Sequence, residues 1–128
     1  MFNRRQLRIK VLQALYALHS DKEGSVEDAH KLLMSAVEKT YDLYLLLLLL
    51  IAEMQDAAIE RIEAGRMKQQ PTREDLHPNT KFVNNKPLRV VIKSKALAKE
   101  AANRSLGWAN EQDLVKRLFK SLVASEEY

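Results

Sequence analysis

Four cations, Arg4, Arg5, Arg8 and Lys10, open the chain, and the first twenty residues carry no acidic side chain. Asn3 followed three residues later by Gln6 predicts a capped helix start, so these cations occupy the first two turns of a helix running to about Ser20. The helix dipole disfavours positive charge there by roughly 0.3–1 kcal/mol each. A sequence shaped only for stability would place Asp or Glu at these positions. The chemistry that arginines at a helix start can do is anion binding: guanidinium forks grip phosphate oxygens in pairs, and the helix end adds free N–H donors. Tyr16, two turns beyond Arg8, can stack on an unpaired base. It serves equally well as an ordinary core aromatic.

Other chemistries find no residues. There is no cysteine, which removes disulfides, thiol catalysis and zinc–thiolate sites. His19, His30 and His77 lie at no ligand spacing, so no metal site is expected. Gly24, Gly65 and Gly107 stand alone, too far apart for a phosphate-cradling loop. Carboxylate pairs such as Glu60 and Glu63 fall on solvated faces. No catalytic residue and no cofactor is expected, and the chain reads as a non-enzyme.

Net charge is +4, in blocks. Residues 1–20 carry +4, residues 21–63 carry −6, residues 64–110 carry +7 and residues 111–128 carry −1. Two basic blocks around an acidic one fit a polyanion partner, with solvated helix faces as the plainer alternative. Lys93 and Lys95, in the second basic block, are expected to extend the surface begun by the first helix.

The elements that must position these residues are helical. With 128 residues and only three Gly and three Pro, an all-α fold is expected, a bundle of about five helices around one Leu-rich helix. That hub is Leu43 to Ala52, ten apolar residues closed by Asp42, Glu53 and Asp56. Ten residues rise only ~15 Å, about half a membrane core, so no membrane span is expected and a cytoplasmic protein is the default. A helix apolar all round must be surrounded by others. In the first helix Leu7, Val11, Ala14, Leu15 and Leu18 form the expected buried face. Ser25 with Asp28 caps a second helix, and a break near Thr40 is expected, because an unbroken rod from 25 to 64 would reach ~60 Å. Residues 1–70 then form a three-helix bundle with an arginine-rich first helix. Residues 71–128 form a basic loop, punctuated by Pro71, Pro78 and Pro87, plus two helices. Leu88–Ile92 reads as a buried segment or short helix. Ser94 caps a helix from Lys95 to Leu106 that ends at Gly107, and Asn110 with Asp113 caps the last one.

The run R-R-x-x-R-x-x-x-x-Q-A-L-Y-A over residues 4–17 resembles the opening helix of the transcription antitermination factor NusB family. Tyr41-Asp42-Leu43-Tyr44 resembles the start of that family's third helix. The stretches Pro71-Thr72-Arg73-Glu74-Asp75-Leu76 and Asn79-Thr80-Lys81-Phe82-Val83 look like the insertion of the longer, Bacteroidetes-type members. The resemblance implies an all-helical factor that binds boxA-like single-stranded RNA in ribosomal RNA transcripts. It implies as partners a NusE-type ribosomal protein and the RNA polymerase antitermination complex. Carried over by position, Arg4, Arg5 and Arg8 match the arginine motif, and Gln13 and Tyr16 match its Q-A-L-Y; Lys10 joins on charge alone. The family's second bundle, with L-R-x-A-x-x-E-L and F-V-N-G-x-L-D, is absent from these residues, so the chain is expected to correspond to the N-terminal part. Two other readings compete: the NusB-like RNA-binding domain of a ribosomal RNA methyltransferase, and a helical adaptor whose basic patches meet an acidic protein.

Overall fold

A computed structural model describes residues 3–21 and 24–125. Among them are six α-helices, a short 3-10 turn and no strand, so the chain is all-α as its composition implies. The helices are α1 (Arg4–Ser20), α2 (Val26–Arg66), α3 (Arg73–Leu76), α4 (Lys86–Ile92), α5 (Lys95–Asn103) and α6 (Gln112–Val123). The 3-10 turn, Ala109–Glu111, precedes α6. Two compact units divide the chain, Met1–Tyr44 and Leu45–Tyr128, with the division inside α2.

Several helix starts follow from local chemistry. The Asn3 side chain accepts from Gln6 N–H at 2.8 Å while Asn3 N–H donates to Gln6 Oε1 at 3.0 Å. Ser25 and Asp28 do the same for α2, Asp28 N–H donating to Ser25 Oγ at 3.1 Å. Ser94 Oγ accepts from Leu97 N–H at the start of α5. Pro87 sits within the first turn of α4, where its missing N–H costs nothing.

The break expected near Thr40 does not occur. Thr40 Oγ1 donates to the Ala36 carbonyl one turn back, at 2.8 Å, so its hydroxyl is satisfied inside the helix instead of capping a new one. With no Gly or Pro between 26 and 64, nothing interrupts the hydrogen-bond ladder, and α2 runs 41 residues. The leucine run is also not surrounded on all sides. Leu45 is buried, Leu46 and Leu48 to Leu50 are half-buried, and Leu43, Tyr44 and Leu47 are exposed. A single long helix has too few neighbours to cover its whole circumference.

In the unit Leu45–Tyr128 the core is Leu45 and Ala58 of α2, Ala101 of α5, and Val115 and Phe119 of α6. Polar ties fix the elements around it. Trp108 Nε1–H donates to the Leu46 carbonyl at 2.9 Å, Gln55 Nε2 donates to the Val83 carbonyl at 2.7 Å, and Gln112 Nε2 donates to Glu53 Oε2 at 2.9 Å. The rings of Phe82 and Phe119 meet at 6.2 Å between centroids, tilted by 46°.

Two helix ends differ from expectation. Helix α5 stops at Asn103, because Ser105 rather than Gly107 takes the left-handed conformation, with φ 52°. Leu106 N–H then donates to the Ala101 carbonyl at 2.9 Å and Ser105 N–H to the Ala102 carbonyl at 3.1 Å, the paired bonds of a Schellman end. The cap expected from Asn110 and Asp113 does not form. Asn110 lies inside the 3-10 turn, and α6 starts after Glu111 with no side-chain cap.

Candidate nucleic-acid interface

Helix α1 presents Arg4, Arg5 and Arg8 to solvent in its first turns, with no acidic residue in the first turn. Among the described residues none of the three forms an ion pair. The helix faces its own unit through Ala14, which is buried, with Ala17 and Leu18 half-buried beside it. Leu7, Val11 and Leu15, expected in that face, are exposed by 40–54 %. The buried stripe is narrower than the apolar periodicity implied because one neighbouring helix covers only one side of α1.

That rotation decides the fate of Tyr16. The ring is 72 % exposed, so it is not a core aromatic. At 100° per residue Arg5 and Tyr16 lie within ~20° of each other around the helix, Arg8 within ~80° of Tyr16 and Gln13 within ~60° on its other side. Gln13 is exposed as well. Arg8 and Tyr16 are eight residues apart, ~12 Å along the axis, and Arg5 is ~16 Å from Tyr16. One open side of the helix thus offers a bidentate cation end, an amide and an aromatic face. Lys10 departs from this group: it lies ~140° round from Arg5 and is half-buried towards the packed side. Arg4 stands at the edge, ~100° from Arg5.

Lys93 and Lys95 fall in the other unit, where both are exposed. Lys93 is the C-cap of α4 and Lys95 the first residue of α5, with Ser94 capping between them. Lys93 suits the negative end of its helix, whereas Lys95 opposes the positive end of the next, the same local conflict seen in α1.

Sequence reasoning passed over a groove in this unit. It has a volume of about 640 Å³, and its lining includes Ala57, Glu60, Arg61, Lys116, Phe119 and Lys120. The i, i+4 spacing of Lys116 and Lys120 was the available signal, but only the tertiary fold brings Glu60 and Arg61 into the same lining. A neighbouring cleft holds Lys68 and Asp75, the latter a hub of local bonds. Lys68 Nζ donates to both Asp75 oxygens at 2.9 and 3.0 Å, and Thr72 N–H donates at 2.9 Å. The Lys68 ammonium first, then the Thr72 donors, hold the Asp75 carboxyl well below its ordinary 3.8, at about 2. A Cβ at Gly65 would lie 2.8 Å from Asp75 Oδ1, so glycine there admits the carboxylate.

Among the described residues no group of three or more His, Asp or Glu is placed to hold a metal ion. Among the described residues no helix is long and apolar enough to cross a membrane. Set against protein-family models, curated proteins and solved structures, the chain matches none.

Proposed function

We propose that this chain is a non-catalytic, cytoplasmic RNA-binding factor of the transcription antitermination kind, acting on boxA-like single-stranded RNA in ribosomal RNA transcripts. Its protein partners in this reading are a NusE-type ribosomal protein and the RNA polymerase antitermination complex. The observation that carries the reading is Tyr16, 72 % exposed on the side of α1 that also presents Arg5 and Arg8. An exposed aromatic ring contributes nothing to a core, and arginines opposing the dipole contribute nothing to the helix. Both are useful to a single strand, whose phosphates take the guanidiniums and whose unstacked bases take the ring. Arg4, Arg5 and Arg8 hold phosphates, Gln13 offers its amide to a base edge, and Tyr16 stacks. Lys10 contributes only long-range charge, and Lys93 with Lys95 adds a further pair of cations.

Filter binding of boxA-like RNA against a scrambled strand, across a salt series, tests this. Three phosphates neutralised by three arginines give a slope of log K on log salt of about −2, a loss of roughly 20-fold between 50 and 200 mM. Arg5→Ala with Arg8→Ala should flatten the slope by about one to one and a half units and leave thermal stability almost unchanged. Wild-type affinity and slope in that double variant would remove α1 from the RNA site. Equal binding of boxA-like and scrambled strands would remove the transcript assignment while keeping the RNA surface.

A further inference from the structure

Within the unit Leu45–Tyr128, α6 runs alongside the second half of α2 in the same direction. Trp108 reaches Leu46 and Gln112 reaches Glu53, so residue numbers rise together along the two helices. Further along, the groove of about 640 Å³ takes its lining from these two helices alone. On α2 the lining includes Ala57, Arg61 and Ala64, and on α6 Lys116, Phe119, Lys120 and Val123. Both sets follow the i, i+3/i+4, i+7 spacing of one helix side, so the groove runs lengthwise for two turns, ~10 Å. A lengthwise groove between two packed helices is the shape that the apolar stripe of a third helix fills.

Phe119 is buried, Ala57 and Val123 are half-buried, and Ala64 is exposed. Alanine at both turns of the α2 wall lets a third helix come close, because the side chains at a contact set the distance between helix axes. The charged residues then select the sequence and direction of that helix. Arg61, Lys116 and Lys120 are exposed, and among the described residues none of them forms an ion pair. Glu60 is the one acid in the lining. Arg61 also lines the adjoining cleft with Glu74 and Asp75, but Asp75 is taken by Lys68 at 2.9 Å. One turn before the groove stand two acids, Glu53, which is bonded to Gln112, and Asp113.

The groove thus changes from acidic at its start to basic towards the end where α2 stops at Arg66 and α6 at Val123. Both helix dipoles turn their negative ends that way, so a third helix is favoured antiparallel, with its positive N-terminal end beside them. Acidic residues in its first turns are favoured by its own dipole and meet Arg61 and Lys120 as well. We infer that this groove docks an acidic amphipathic helix of a protein partner, seated antiparallel to α2 and α6. A groove two turns long covers less than the ~1,200 Å² at which stable interfaces begin, so the contact is a transient one. The RNA surface on α1 lies in the other unit and shares no residue with the groove, so the two readings stand apart.

Fluorescence anisotropy of the full chain with a labelled peptide of about 18 residues, long enough to hold a helix, tests this. The peptide carries leucines along one stripe and glutamates in its first two turns; its twin has lysines in place of the glutamates. The acidic peptide should bind in the micromolar range and the lysine twin at least about tenfold more weakly, as like charges meet. Ala64→Phe, at an exposed position, should fill the groove and abolish binding while the melting temperature stays near wild type. Lys116→Glu with Lys120→Glu should reverse the preference in favour of the lysine twin, an inversion that misfolding cannot imitate. Binding of neither peptide, equal binding of both, or binding indifferent to Ala64→Phe would each overturn the inference. Displacement of the peptide by single-stranded RNA would overturn it too and give the groove to RNA. Arg5→Ala with Arg8→Ala, which tests the RNA surface, should leave the peptide affinity unchanged.

Discussion

At the scale of single residues, exposure separates roles that residue type leaves open. Tyr16 stands out from α1, so Tyr16→Ala should leave the melting temperature close to wild type. The same change should weaken single-strand binding by ~1–3 kcal/mol, the worth of one base on an aromatic plate. Tyr16→Phe should keep the affinity, because the face of the ring stacks and the hydroxyl does not. A Phe variant as weak as the Ala variant would assign the contact to the hydroxyl instead. Asp75 makes the other residue-level prediction. Its carboxyl is held at about 2 against an ordinary 3.8 by Lys68 and Thr72, so folding favours its ionised form. The stability this supplies is fully present above about pH 4 and is lost as pH falls through the folded value towards 2. Acid titration of unfolding should show that loss in wild type and not in Asp75→Asn. Parallel curves for the two proteins would mean that the Lys68 pairing contributes nothing.

At the scale of elements, α2 shows how a helix uneven in its burial takes its stability from few positions. Leu45 is 3 % exposed and Leu47, two residues on, is 52 % exposed. Leu45→Ala removes a packed side chain and leaves a cavity, which costs ~2–5 kcal/mol. Leu47→Ala should fall within about 0.5 kcal/mol of wild type, as substitutions at open positions do. Chemical denaturation of the two variants checks the contrast directly. Equal losses would mean that the outer side of the leucine run is covered in solution. The end of α5 illustrates a different economy. Ser105 accepts a backbone conformation normally left to glycine, because both Schellman bonds and the burial of Ala101 hold that turn in place.

At the scale of the whole molecule, the core is unequally shared. The unit Leu45–Tyr128 contains Leu45, Ala58, Ala101, Val115 and Phe119, whereas Met1–Tyr44 contains Ala14. Local opening free energy follows buried apolar contact. In hydrogen exchange at low protein concentration, the amides of α6 around Val115 and Phe119 should therefore be the slowest. Those of α1 should exchange faster by orders of magnitude. Uniform protection along the chain would contradict this division.

Much of this was legible in residue order, because its causes are local. The caps at Asn3, Ser25 and Ser94 each depend on a side chain reaching a backbone N–H three residues on, a distance fixed by helix geometry whatever surrounds it. Scarce Gly and Pro, with apolar residues at helical spacing, were enough for the all-α class. The conflict of Arg4, Arg5 and Arg8 with the helix dipole was equally visible, since it needs no neighbour. The sequence could not say which side of α1 stays open. Leu7, Val11, Leu15 and Tyr16 are all apolar enough to be buried, and only the number of neighbouring helices decides which of them are. The continuity of α2 was hidden for a related reason: Thr40 can cap a new helix or bond back to Ala36, and the choice lies in what the following leucines pack against. Trp108 finding the Leu46 carbonyl, sixty-two residues away, and Arg61 lining one groove with Lys116 and Lys120 are long-range meetings. No periodicity records such meetings, because they are created when separate helices share one core.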